Sequence, residues 1–472
     1  MHVLGVPCSA MSRVVREAAR VFWLLLCLWP VAAEADGGPV DPPAPPVESH
    51  ESQLLLGADE LCRKGEVLVS AYPLQMDRVM LLEAVGYFKQ ALTVSPVHLR
   101  AFLGLAQALA ELKTSGKDGN DSEGAEYWIL KAKALRPEDP TVLDAMAFVD
   151  WRLGRVAQAE GEAREAIHRD PQAARHFLRL GQVLGQSERL EDHREAVTIL
   201  QHALALHPTL REEWHISIEL SGIYRGLGER DAELRAGERA IELDPTAWRG
   251  WYNYTGTLLR LTRYDEAITA GQRALSLKDD DWTRSHLVEA YLHKGLTAPA
   301  ADQLPRIHSA EALAHLSSVF RERHDPSQAV ELARKAVALD PHDPYTQQQA
   351  GLSWEASGDR ERAIEAFTAA TRIQPTGRRD RQNIAIAYDR WARLVAFDQQ
   401  RCAEAVPLYQ KALETDPANM WPYDGLGACY EHLGRLSDAR QAWRKLLDGS
   451  PSGEWAERVR RKLALTERPP GP

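Results

Sequence analysis

Cysteine, phenylalanine and net positive charge are all scarce in this chain. Five cysteines occur in 472 residues, at positions 8, 27, 62, 402 and 429, with no CxxC and no zinc-ligand spacing. A metal-held framework is therefore not implied. Acidic residues outnumber basic ones 67 to 57, for a net charge of −10. That is the wrong sign for a general nucleic-acid binder, which needs a basic face to displace counterions. Catalytic signatures are missing as well: there is no HExxH, no phosphate-cradling glycine loop and no nucleophile elbow. The sixteen histidines are scattered. His202 and His207 do not share a helix face, and His286 and His293 share one without a third ligand, so no metal site and no cofactor are expected. Cys402 and Cys429 fall in neighbouring segments, with buried free thiols as the expectation and a disulfide as the alternative.

Long apolar runs are absent too. The longest, Val21–Ala33, has 13 residues, short of the roughly 20 that span a bilayer. It follows Arg13, Arg16 and Arg20 and precedes the small residues of Ala33-Glu34-Ala35. Together these predict a secretory signal peptide over residues 1–35, with Met11 as an alternative start, and hence an exported protein. An uncleaved anchor is the competing reading, and membrane attachment is expected only in that case. Residues 36–53 are rich in proline and glycine and read as an extended spacer.

What the sequence has in abundance is repetition. Prolines at 96, 137, 171, 208, 245, 341, 375, 417 and 451 stop one helix after another, and the steps from 137 to 171, 341 to 375 and 417 to 451 are each 34 residues. Asp170, Asp244, Asp340 and Asp416 precede four of these prolines, placed to cap backbone N–H groups of the element that follows. Between them run alanine pairs seven apart: Ala84 and Ala91, Ala125 and Ala132, Ala159 and Ala166, Ala196 and Ala203, Ala267 and Ala274, Ala329 and Ala336, Ala363 and Ala370, and Ala405 and Ala412. Seven residues is nearly two helical turns, so each pair faces one way. The stretch 420–451 shows the full unit. Tyr423, Leu426 and Tyr430 stripe a first helix, Gly427 admits a close neighbour, Gly434 ends the helix, and Ala439, Trp443 and Leu446 stripe a second. Neither helix buries its stripe alone, so each unit needs copies on both sides.

This pattern resembles the tetratricopeptide repeat family over about Leu54–Pro451. The resemblance rests on Leu180-Gly181, Leu426-Gly427 and the variant Leu220-Ser221, on Tyr224, Trp354 and Tyr430, on the turn glycines 154, 228, 358 and 434, and on Phe88, Phe367, Tyr409 and Trp443 in the second helices. It implies an all-α, right-handed α-solenoid of about eleven helix-turn-helix repeats. The expected organisation is an array over 54–280, a short irregular unit over 281–308 interrupted by Pro299 and Pro305, a second array over 309–451, a capping helix over 452–465 and a disordered tail over 466–472. The two arrays are expected to move relative to each other. Polar residues around Thr114–Ser122 and an insertion at Leu394–Arg401 depart from the family pattern.

In this family the first helices line a concave groove. Carried onto this register, the expected groove residues are Trp151, Arg175, Arg225, Arg249, Tyr252, Trp282, Tyr345, Gln348, Arg379, Gln382 and Trp421, a set rich in the aromatics and arginines that dominate interfaces. The Lys and Asn pairing by which some members hold a peptide's C-terminus is not present in register. The expected function is a non-enzymatic scaffold that binds a protein or extended peptide, with no nucleic-acid partner and no small-molecule substrate. The alternative is an accessory, membrane-anchored part of an envelope secretion or surface-polymer assembly complex.

Overall fold

The computed structural model describes residues 50–75, 77–115, 121–187, 189–398, 400–449 and 454–466. The leader, most of the spacer, the middle of the Thr114–Ser122 insertion and the tail beyond 466 lie outside the described residues. Among the described residues there are helices and turns and no strand. The described residues from 55 onward pack as one continuous unit.

Twenty-two of the helices form eleven hairpins. The first six pair α1 (His50–Gln75) with α2 (Arg78–Val94), α3 (Leu99–Ser115) with α4 (Asp121–Leu135), α5 (Pro140–Arg152) with α6 (Val156–Arg169), α7 (Ala174–Gly185) with α8 (Leu190–Ala205), α9 (Leu210–Leu227) with α10 (Arg230–Leu243), and α11 (Trp248–Arg260) with α12 (Tyr264–Leu277). The remaining five pair α13 (Asp281–His293) with α14 (Thr297–Gln303), α15 (Ala310–Glu322) with α16 (Pro326–Leu339), α17 (Pro344–Ser357) with α18 (Arg360–Thr371), α19 (Arg378–Arg393) with α20 (Cys402–Thr415), and α21 (Pro422–His432) with α22 (Leu436–Gly449). A last helix, α23 (Glu454–Thr466), closes the array.

Small side chains explain the stacking. All sixteen alanines of the eight spaced pairs are wholly buried. Most second helices thereby lie against their own first helix and against that of the next hairpin, without a bulky side chain holding them apart. The large residues Phe88, Phe367, Tyr409 and Trp443 are also completely buried, and they occupy room left by glycine. A Cβ on Gly427 would sit 2.1 Å from Trp443 Nε1, and one on Gly351 would sit 2.4 Å from the Phe367 ring. Most successive first helices touch each other, whereas no two second helices make comparable contact among the described residues. The first helices therefore line the tight inner side of the curve, and the second helices fan out on the outer side.

The turns follow the local chemistry. Gly154, Gly228, Gly295, Gly358 and Gly434 all have φ between +71° and +85°, the left-handed region that ends a helix most easily with glycine. Thr262 and His324 occupy the same conformation at +58° and +59° in two hairpins that lack that glycine. The aspartates of the Asp-Pro steps accept from the backbone N–H two residues on: Asp170 from Gln172, Asp244 from Thr246, Asp340 from His342 and Asp416 from Ala418. These are turns closed by a side chain in place of a carbonyl.

The departures from the repeat have distinct outcomes. Pro299 lies in the first turn of α14, where its missing N–H leaves no bond unmade. Pro305 in the 3₁₀ turn Leu304–Arg306 is what shortens the unit. The core runs on through it, with Leu287, Ala300 and Ile307 packed in one cluster with Leu316 and Leu332. The insertion after α19 forms a π-helical turn over Leu394–Asp398, and Leu394, Val395 and Ala396 are buried in it. In the fifth hairpin the first alanine of the pair is replaced by Glu233, which is only 3% exposed. Its carboxylate accepts from Arg260, Arg225 (3.2 Å) and Thr257 (2.9 Å), so the buried charge is matched. At the C-terminal end, Ala456, Val459 and Leu463 of α23 are buried, and Val459 and Leu463 join the cluster around Trp443 and Leu446. This helix covers the last apolar stripe.

Candidate binding groove

The inner surface made by the first helices carries three clusters of side chains. At the N-terminal end, six first helices from α1 to α11 enclose a cavity of about 450 Å³. Apolar walls come from residues such as Phe148, Trp151 and Leu178, and four arginines, at 152, 179, 211 and 249, reach it. Three carboxylates line it as well, and the cavity does not leave them free. Glu66 accepts two bonds from Arg100 (2.7 and 2.9 Å), Glu111 is paired with Arg152, and Glu219 accepts from Gln182 at 3.3 Å. Burial pushes the Glu111 carboxyl above its ordinary range despite Arg152. Burial also pushes His215 down to about 3, helped by the charges of Arg211, Arg249 and Arg179. His215 is therefore neutral at pH 7.

The middle of the groove holds an aromatic ladder. Tyr252 is stacked between Trp248 (5.4 Å, 20°) and His286 (5.2 Å, 12°). Trp282 packs on His286 at 6.3 Å and on His315 at 5.7 Å. His315 Nε2 lies 2.9 Å from Glu289 Oε2. Burial tends to raise the Glu289 carboxyl, but His315 and His286 hold it below its usual range. His286 is pushed down to about 3 by burial, with His315 adding to the effect. One hairpin further on, Arg379 lies over Tyr345 at 4.8 Å and meets Glu311 at 3.2 Å.

The C-terminal cluster surrounds a wider cavity of about 870 Å³ reached by Gln382, Asn383, Asp389, Tyr409 and Trp421. Trp421 is 59% exposed and meets Trp455 edge-on at 5.5 Å. Asn383 Nδ2 and the Tyr409 hydroxyl are buried without hydrogen-bond partners. Burial pushes the Asp389 carboxyl up to about 6, against the pull of Arg390 and Arg393.

The expected groove residues divide accordingly. Trp151 and Arg249 reach the first cavity, Tyr252 and Trp282 form the ladder, Tyr345 and Arg379 pair beside it, and Gln382 and Trp421 reach the last cavity. Three others are engaged elsewhere. Arg175 donates to Thr141 Oγ1 at 3.2 Å, Arg225 serves the buried Glu233, and Gln348, 4% exposed, accepts from Gln349. His286 and His293, expected on one face, part company: His293 stacks on Tyr264 at 4.6 Å. Arg179, Arg211, Trp248 and His315 join the groove beyond the residues expected from the repeat register, and His286 joins it as a stacking ring. A signal for one of them was present, because Trp214, Trp248 and Trp282 recur at intervals of 34.

Comparison with known proteins agrees with this architecture. Family models described as tetratricopeptide repeat match residues 81–140, 145–208, 223–281 and 396–457, together more than half of the chain. A TPR repeat-containing protein of Pseudomonas aeruginosa is 45% identical over 47 residues, covering 10% of this chain and 8% of its own length. The small glutamine-rich tetratricopeptide repeat-containing protein 2 of Mycosarcoma maydis is 30% identical over 115 residues, covering 24% of this chain and 30% of its own. The chain thus spans less than a third of either relative. Among solved structures, yeast Tom70 superposes with a TM-score of 0.50 at 13% identity, covering 87% of this chain and 95% of that one, a likeness of fold alone. With its hairpins in register and its family matches spread along them, the chain belongs to the tetratricopeptide repeat family.

Proposed function

We propose that this chain is a non-enzymatic adaptor that binds a partner protein, as an extended segment, along the groove of its first helices. The carrying observation is the ladder of Trp248, Tyr252, His286, Trp282 and His315, which runs across α11, α13 and α15 on the inner side. Aromatic rings held rigid by their neighbours lose little freedom when a partner covers them, and they supply much of the energy at interfaces. Exposed Trp421 and the pair Tyr345–Arg379 extend the same surface. The leader around Val21–Ala33 supports placing this activity outside the cytoplasm. No helix among the described residues is long and apolar enough to cross a membrane, and the leader itself lies outside them.

The test is capture of partners from the exported fraction by the wild-type chain and by a triple variant, Arg249→Ala, Tyr252→Ala and Trp282→Ala. Loss of the captured protein with a retained helical spectrum supports the reading. Equal capture by both chains, or turnover of a small molecule by the purified protein, overturns it. Mass spectrometry of the mature N-terminus tests the location: a start at Asp36 fits a released adaptor, and an intact Val21–Ala33 segment fits the anchored alternative.

A further inference from the structure

The cavity at the N-terminal end of the groove differs from the rest of the inner surface in its unmet hydrogen bonds. Trp151 Nε1, Arg179 Nε and Arg211 Nη2 are all buried and find no acceptor among the described residues. All three are donors, and all three belong to residues that line one space of about 450 Å³. Arg249, which lines it too, makes no ion pair among the described residues. Arg152 is paired with Glu111, and Arg179 donates to Asp144 at 3.4 Å and to Gln182 at 2.7 Å. Arg211, like Arg249, forms no ion pair among the described residues, in a chain with 67 acidic side chains. The charges converge as well: Arg179, Arg211 and Arg249 all act on the half-buried ring of His215. Buried donors are almost always satisfied in folded proteins, by protein, water or ligand. Guanidinium groups prefer a carboxylate or phosphate, which takes two N–H bonds at once.

We propose that this cavity is a ligand site for an organic anion: one carboxylate on a compact apolar or aromatic body. The carboxylate is held by Arg211 and Arg249, with Arg179 and the Trp151 indole N–H supplying further donors. The apolar body lies against the Trp151 ring and its neighbours. The volume is within the roughly 300–1,000 Å³ of small-ligand pockets, and the mix of apolar wall and few convergent polar groups is the usual one. The same chemistry is offered by a free organic acid or by an acidic side chain beside an aromatic one in a peptide. The site goes beyond the adaptor reading and does not depend on the aromatic ladder.

Isothermal titration calorimetry of the full chain at low salt tests it with three probes. They are 3-phenylpropionate, its uncharged analogue 3-phenylpropanamide, and a capped tetrapeptide, acetyl-Gly-Phe-Glu-Gly-amide. The expected result is binding of one acid per chain and at least about tenfold weaker binding of the amide, the loss of one charge-assisted hydrogen bond. Arg211→Gln and Arg249→Gln each weaken the acid by about tenfold or more on the same argument. Arg211→Lys, which keeps the charge and loses the planar fork, falls between, and unchanged melting curves separate a lost ligand from a lost fold. Arg390→Gln, in the C-terminal cavity, leaves binding as it was. Tighter binding of the capped peptide assigns the carboxylate to a peptide side chain, and tighter binding of the free acid assigns it to a small molecule. Equal binding of acid and amide, no heat with either carboxylate probe, or wild-type affinity in both glutamine variants overturns the proposal. A chain that captures a protein but binds no carboxylate sinks this inference alone, and the reverse outcome sinks the adaptor reading alone.

Discussion

Tyr252 and His286 lie face to face, with ring centroids 5.2 Å apart and planes only 12° from parallel, although 34 positions separate them in the chain. That separation is one repeat length. The pair joins consecutive first helices on the groove side, so it is both a structural contact and part of the proposed binding surface. Tyr252→Ala removes a ring from between Trp248 and His286. The expected cost is about 2–3 kcal/mol, read as a lower urea midpoint for the central hairpins. Tyr252→Phe keeps the stack and is expected to stay within about 0.5 kcal/mol of wild type.

The stacking arrangement was legible before any coordinates. Alanines seven apart must face one way on a helix, and all sixteen of them are buried. Helix-stopping prolines and turn glycines then set the register. The groove was legible only in part, because a repeat pattern says which helix faces inward and not which side chains are already occupied. Arg225 illustrates this: its partner Glu233 stands where the pattern calls for alanine, and that single buried carboxylate holds two arginines, 225 and 260, whose side chains remain 41% exposed. Arg211 and His315 were invisible for the opposite reason. Each is unremarkable in its own repeat and gains meaning from residues on other hairpins.

Close approach of helices at glycine gives a second prediction. Gly427→Ala places a methyl carbon 2.1 Å from the buried Trp443 indole, and overpacking of this kind costs about 1–3 kcal/mol. Gly222→Ala, where an added Cβ meets nothing within 4 Å, is expected to be neutral or slightly stabilising. Thermal melts of the two variants distinguish a tight helix crossing from a mere helix-propensity effect.

Two turns invite stabilisation. Thr262 and His324 hold φ of +58° and +59° on the exposed surface, where five other hairpins have glycine at φ of +71° to +85°. A β-branched or bulky residue there carries about 1–2 kcal/mol of backbone strain. Thr262→Gly and His324→Gly relieve it at the expense of a more flexible unfolded chain. A net gain of about 0.5–1 kcal/mol each is expected, additive because the sites lie in different hairpins, and differential scanning calorimetry reads the sum.

Acidity acts in two opposite ways. His215 and His286, both pushed down to about 3 by burial, stay neutral when folded but take up protons when unfolded. Their contribution is complete above about pH 6.5 and is lost as the pH falls below it. Asp389, raised from 3.8 to about 6 by burial, has the reverse sign: its contribution is complete below about 3.8 and is lost as the pH rises through 6. Asp389→Asn is therefore expected to stabilise the protein at pH 7.5 by on the order of 1–2 kcal/mol and to do little at pH 4.5. His286→Phe is expected to flatten the acid limb. Urea unfolding at pH 4.5, 6 and 7.5 checks both.

Among the described residues most successive inner helices touch one another, while no two outer helices make comparable contact. Mechanically, that makes the molecule a leaf spring clamped along one edge. Small changes of angle at each joint sum along eleven leaves, so the diameter of the coil changes at little elastic cost. Tension along the axis is taken up first by the free outer edge, and the packed inner edge yields last.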